Sequence, residues 1–152
     1  MQKITPFLWF NDNALEAAEF YSSIFKHTAV TDVTRMGDSG PVISVSFTLE
    51  GQAFLALNGG PHFSFTPAIS LFVDCETQAE VDDLWGRLSA GGEKSRCGWL
   101  KDKFGLSWQI IPNQLGQLMR DPDPVKAKRV MDAMMQMNKI VIADLQNAYM
   151  DN

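Results

Sequence analysis

The side chains of this sequence that could do chemistry are few and scattered. It has two histidines, His27 and His62, with 34 positions between them. His27 falls just past a helical pattern and His62 in a turn-rich stretch, so both read as loop imidazoles, and His62 is the candidate for acid–base work. Lys101 and Asp102 precede a turn containing Gly105 and could also serve as general acid or base. Asp and Lys beside a glycine more often mark a solvated hairpin. Cys75 and Cys97 stand far apart without a histidine at ligand spacing, which suggests reduced thiols and neither a disulfide framework nor a zinc site. No G-x-S-x-G elbow is present, and neither cysteine lies beside a histidine, so nucleophile–base pairs are unsupported.

Aromatic residues are more plentiful. Trp99, Phe104 and Trp108 surround the stretch WLKDKFGLSW, and Phe7, Trp9, Phe63 and Phe65 lie nearer the start. Each could be plain core; together they would suit a pocket for an apolar or planar ligand. Gln109 sits in a strand pattern between Trp108 and Ile110, whose side chains alternate away from it, so it is expected to face a pocket and to need a hydrogen-bond partner there.

Elements to hold these residues follow from periodicity. Residues 4–10 read as a strand, and Ala14–Phe25 as a helix with Leu15, Ala18, Tyr21 or Ser22, and Phe25 on one face and an Asn13–Glu16 capping box. Strands are predicted at about Ala29–Met36, Val42–Leu49 and Gln52–Asn58, the last two joined at Glu50–Gly51. The order then restarts. Ala68–Val73 reads as a strand, Thr77–Glu80 as a capping box, and Val81, Leu84, Trp85 and Leu88 as the buried face of a helix stopped by Gly91 and Gly92. Strand material is expected at about Lys94–Lys101 and Leu106–Pro112, making this half shorter by one strand. The period from Phe10 to Val73 is 63 residues, suited to a duplicated module. The fold class is therefore α+β: one domain over 1–152, with a first βαβββ module at 1–60, a second at 66–113 and a helical tail at 121–150. In that tail Val130, Met134, Met137, Val141, Leu145 and Ala148 form an apolar stripe, read as a docking or dimerisation helix.

At 152 residues, with 45% apolar and 20% charged side chains, the chain is long enough for a full core. A net charge of -5 disfavours nucleic acid as a partner. The first residues enter a strand pattern without secretion-signal features, and no apolar run approaches membrane-spanning length. A cytoplasmic location is expected.

Three segments, PFLWFNDNALEAAEFYSSIF, LNGGPHFSFTPAISLFVDC and CGWLKDKFGLSWQIIP, resemble the PhnB-like branch of the vicinal oxygen chelate superfamily. That superfamily contains glyoxalase I, extradiol dioxygenases and bleomycin-resistance proteins, and the branch carries the label 3-demethylubiquinone-9 3-methyltransferase. The resemblance extends over nearly the whole chain, the tail included. It implies paired βαβββ modules of glyoxalase/bleomycin-resistance type, a sheet enclosing a pocket, and a homodimer. Metal-using members bring His, Gln or Glu from the first and last strands of each module. The matching positions fall near Thr5 and Ala68, within one residue, and at Leu57 or Asn58 and Gln109. Neutral amides hold a divalent cation weakly, so no metal and no cofactor is expected. The glycines of GDSG, NGG and AGG stand at the wrong places for the nucleotide loop of a methyltransferase, whose activity is discounted. The reading is a small-molecule-binding homodimer with Asn58, Gln109 and the aromatics as ligand contacts. The rival is a divalent-metal-dependent lyase or dioxygenase-type enzyme, with His62 and Glu50 or Asp74 as ligands.

Overall fold

A computed structural model describes residues 2–151 and divides the chain into two compact units, Met1–Phe65 and Thr66–Asn152. In the first, β1 (Phe7–Phe10), α1 (Ala14–Ile24), β2 (Ala29–Arg35), β3 (Val42–Leu49) and β4 (Gln52–Asn58) form one sheet in the order β1-β4-β3-β2. Strand β1 runs parallel to β4, while β3 is antiparallel to β2 and β4. Val45, Phe47 and Leu49 alternate inward from β3 and meet Ala14, Ala17, Ala18, Tyr21 and Ile24 of α1, a face shifted by about one residue from the periodicity reading. Small alanines let the helix lie close to the sheet, and the Tyr21, Phe47 and Phe54 rings fill the space beyond them. Such ring contacts add about 0.5–1.5 kcal/mol each beyond the area they bury.

The β3–β4 turn places Glu50 (φ 50°) and Gly51 (φ 79°) in the left-handed region, as a two-residue hairpin of matching twist requires. Glu50 tolerates that backbone with its carboxylate accepting from the Lys26 N–H at 3.0 Å. The expected Asn13–Glu16 capping box is absent. The Asn13 side chain makes no cap bond, and the Ala14 N–H donates instead to Asn58 Oδ1 at 2.8 Å. Parallel pairing of β1 with β4 carries the end of β4 to the start of α1, where a long-range amide replaces the local cap.

The second unit repeats the order with β5 (Ser70–Cys75), α2 (Gln78–Ser89), β6 (Glu93–Lys94), β7 (Trp99–Lys101) and β8 (Ser107–Pro112), in a sheet ordered β5-β8-β7-β6. Here the capping box forms, with Thr77 Oγ1 accepting from the Glu80 N–H and Glu80 reaching back to the Glu76 N–H. The expectation of a missing strand is corrected. The stretch read as one strand from Lys94 turns at Ser95–Gly98, with Cys97 and Gly98 at positive φ, and so yields both β6 and β7. Two residues are too few to show an alternation.

The tail also differs from the single helix expected. After α3 (Asn113–Met119), which precedes it, the tail forms α4 (Pro124–Met134) and α5 (Ile142–Met150). Between the last two, the Cys97 and Gly98 N–H groups donate to the Met137 and Asn138 carbonyls. The Gln78 amide meanwhile donates to the Ile140 carbonyl and accepts from the Ile142 N–H. These partners outcompete helical bonds across that stretch. The apolar stripe is covered within the unit: Val130, Ile140 and Leu145 are buried with Ile111 and Leu115, and Met134 and Met137 pack against them. Each fully buried aliphatic contributes about 1.5–3 kcal/mol, so the stripe holds the tail to its own sheet, while Val125, Met131, Met135 and Met150 stay exposed.

Candidate functional site

Each sheet has one face under the helix that follows its first strand; in the first unit no other helix meets the opposite face, and in the second the tail helices reach it at Ile111. In the first sheet, Phe7 and Trp9 of β1 point away from α1, beside Leu55 and Leu57 of β4, with Ser44 and Ser46 of β3 next in the row. No histidine or carboxylate stands among these six. The Trp9 ring lies against Gly59, where a Cβ would overlap the ring atoms Cζ2 and Cε2, and its Nε1–H donates to the Gly60 carbonyl at 2.9 Å. Phe63 sits edge-on to Trp9 with centroids 4.9 Å apart, and Phe65 edge-on to Phe10 at 5.1 Å. The sequence NGGPHF thus wraps over Trp9, leaving Phe63 mostly exposed and carrying His62 on the exposed turn.

Asn58 does not present its amide to this face. Oδ1 accepts from the Ala14 N–H and Nδ2 donates to the Val42 carbonyl at 3.1 Å, so both ends tie β4 to its neighbours. It does border an open cavity of about 640 Å³ at the start of α1, lined also by Asn11, Asp12, Glu16, Val42 and Gly60.

In the second sheet, Leu71, Cys75, Leu100, Trp108 and Ile110 face α2; the other face carries two rows beyond a third, Asp74 and Ile111, where Ile111 packs with the tail helices. One row runs Phe72, Gln109, Trp99 across β5, β8 and β7; the next runs Ser70, Ser107, Lys101, with Glu93 of β6 at its end. Gln109 Nε2 donates to Ser70 Oγ at 3.0 Å. Phe72 is 59% exposed, and Trp99, Gln109 and Lys101 are half-buried. The Ser107 hydroxyl is buried without a hydrogen-bond partner. Sequence reasoning missed Ser70, Phe72 and Ser107, although alternation in SLFVDC puts Phe72 on the side of Ser70.

Asp102 is placed otherwise than a solvated hairpin would have it. It is 2% exposed; Oδ1 accepts from the Phe104 N–H at 2.8 Å and the Leu106 N–H at 3.1 Å, and Oδ2 from the Trp108 indole at 2.9 Å. The carboxylate organises the β7–β8 turn and is walled off from any reacting atom. Trp108, itself 2% exposed, is a core residue on the helix side and lines no open surface. Phe104 is half-buried in the turn, with the Lys103 ammonium 5.4 Å from its ring centre. Burial, reinforced by the charges of Glu80 and Asp74, pushes the Cys75 thiol up to about 12, which leaves it protonated and inert.

The donors fit a divalent cation poorly. Thr5 and Ala68 offer one hydroxyl between them, Leu57 is aliphatic, the Asn58 amide is committed, and Gln109 is neutral. Glu50, the rival's other donor in the first unit, already accepts from Lys26. Among the described residues no three His, Cys, Asp or Glu side chains gather to hold a metal. No helix among them is long and apolar enough to cross a membrane.

Comparison with known proteins identifies the family. The family model described as 3-demethylubiquinone-9 3-methyltransferase matches residues 2–111, so the match stops before the helical tail to which the sequence resemblance had been extended. A Bacillus cereus PhnB protein carrying the same methyltransferase description is 38% identical, with a TM-score of 0.68 over 73% of this chain and 99% of that one. Protein PA1353 from Pseudomonas aeruginosa is 20% identical, with a TM-score of 0.63 over 74% and 98%, and shares the fold. A glyoxylase/bleomycin resistance protein/dioxygenase domain from Frankia is 14% identical, with a TM-score of 0.48 over 74% and 92%. No curated protein matches.

Proposed function

Because the chain belongs to the PhnB-type 3-demethylubiquinone-9 3-methyltransferase family, on a glyoxalase/bleomycin-resistance-like α+β fold, we propose that it binds a small organic molecule on an open sheet face without a divalent cation. The observation that carries this reading is the row Phe72, Gln109, Trp99, which leaves an exposed and a half-buried aromatic side chain and an amide together on the face of the sheet opposite α2. Methyl transfer is not part of it. The links from β1 to α1 and from β5 to α2 contain no glycine, so no glycine-rich loop follows the first strand of either unit to cradle a nucleotide cofactor. The protein acts in the cytoplasm, where its free thiols stay reduced. It pairs as a homodimer through the exposed edge strands β1 and β5, whose unpaired backbone and flanking Phe7 and Ile69 call for cover.

Melting temperatures measured in EDTA against a panel of small aromatic and aliphatic compounds test the reading. Native-state binding raises the melting temperature by mass action, and aromatic compounds are expected to do so without added metal. A rise that requires a particular divalent ion would contradict it. Light scattering on the eluting protein should give twice the chain mass.

A further inference from the structure

We propose that the open face of the second sheet is a site for a planar aromatic carboxylate, with the ring between Trp99 and Phe72 over Gln109 and the carboxylate received by the Ser107 hydroxyl and the Lys101 ammonium. This rests on the ligand-binding reading above and names its ligand class. Strands β5 and β7 both pair with β8, so Phe72 and Trp99 leave backbones roughly 9.6 Å apart, at twice the strand spacing. A flat ring between two apolar walls needs about 7–8 Å, which suits that separation. A saturated ring is thicker and gains no stacking.

Ser107 supplies the polar end. A buried hydroxyl with no partner has given up its hydration unmatched, and Ser107, two residues from Gln109, is on the same side of β8. Lys101 is its neighbour on β7 and forms no ion pair among the described residues. A hydroxyl donor and an ammonium side by side match one carboxylate. Glu93, opposite Lys101 on β6, limits the charge the row can accept, which disfavours a phosphate carrying nearly two negative charges. Asp74, on the same face beyond Phe72, sets the direction, with the carboxylate end toward Ser107 and away from Asp74.

The test is calorimetric titration of the full chain, in EDTA, with 2-naphthoate and its neutral isostere 2-naphthamide. Naphthoate should bind about tenfold more tightly, the value of one charge-assisted contact. Lys101→Met should abolish that preference, with a melting temperature near that of the wild type reporting that the variant is folded. Ser107→Ala should weaken naphthoate severalfold without lowering the melting temperature, because it removes an unsatisfied hydroxyl. Trp99→Leu should weaken both compounds alike. Equal affinities that Lys101→Met does not alter would overturn the carboxylate assignment and leave the binding reading standing. Naphthoate binding insensitive to both Trp99→Leu and Lys101→Met would overturn the location. Failure of both compounds to bind at millimolar concentration would overturn the binding reading as well.

Discussion

Replacing Asp102 by asparagine changes one atom of a buried side chain and should cost far more than its size suggests. Asn Oδ1 can still accept from the Phe104 and Leu106 N–H groups, but Nδ2 then faces the Trp108 indole N–H, donor against donor, at a site where the native contact is 2.9 Å. Flipping the amide worsens matters, because Nδ2 would oppose two backbone donors. One buried indole N–H left unpaired costs about 1–3 kcal/mol, and loss of a charge-assisted acceptor from two further bonds brings the total to roughly 2–4 kcal/mol. For a domain stable by about 5–15 kcal/mol that is a large fraction, readable as a lower urea midpoint in far-ultraviolet circular dichroism. Trp108→Phe removes the opposing donor, so a double-mutant cycle should show at least about 1 kcal/mol of coupling. A variant within about 0.5 kcal/mol of wild type, or a cycle without coupling, would refute the structural role and restore Asp102 as an exposed, potentially reactive acid.

Other expectations concern the loop, the tail and the thiols. Gly59→Ala puts a methyl into the Trp9 ring and should destabilise the protein by about 1–3 kcal/mol, with a shift in tryptophan emission as the 59–63 loop lifts; unchanged stability and emission would contradict the packing. The Tyr149 hydroxyl donates to Asp121 at 2.6 Å, which holds that carboxyl below the usual range and raises the tyrosine. Asp121 therefore stabilises the tail above its unfolded pKa and loses this effect as the pH falls below about 4, so the deficit of Tyr149→Phe in melting temperature should shrink toward acid pH. A deficit independent of pH would count against the pair. With its thiol raised to about 12, Cys75 should resist alkylation at mildly alkaline pH while the half-buried Cys97 reacts; fast labelling of two thiols by mass spectrometry would contradict its burial.

The elements with strong periodicity are legible in the sequence itself. Alternation in VISVSFTL, the three- and four-residue steps of α1 and α2, and the Thr77–Glu80 cap are local signals, and they sufficed for the repeated strand–helix order. What was not legible is set by distant partners. Asn58 replaces the cap of α1 from 44 residues away, and Gln78 interrupts the tail helix from 62 and 64 residues away. Nothing near Met135 or Ile140 in sequence announces the break, since neither glycine nor proline occurs there. Gln109 was assigned to the face opposite Trp108 by simple alternation, but Ser107 reads as an ordinary strand serine until its lack of a partner is seen. Asp102 shows the limit from the other side. The D-x-x-G pattern points to a turn, and the turn exists, yet only the Trp108 indole reveals that the carboxylate is enclosed.

The most direct check on the central claim is a proton–nitrogen correlation spectrum of the four tryptophan indoles and the Gln109 amide during titration with 2-naphthoate in EDTA. The Trp99 indole and Gln109 amide signals should move in a saturable way while those of the buried Trp85 and Trp108 stay in place. Signals that remain fixed until a divalent metal ion is supplied would contradict it.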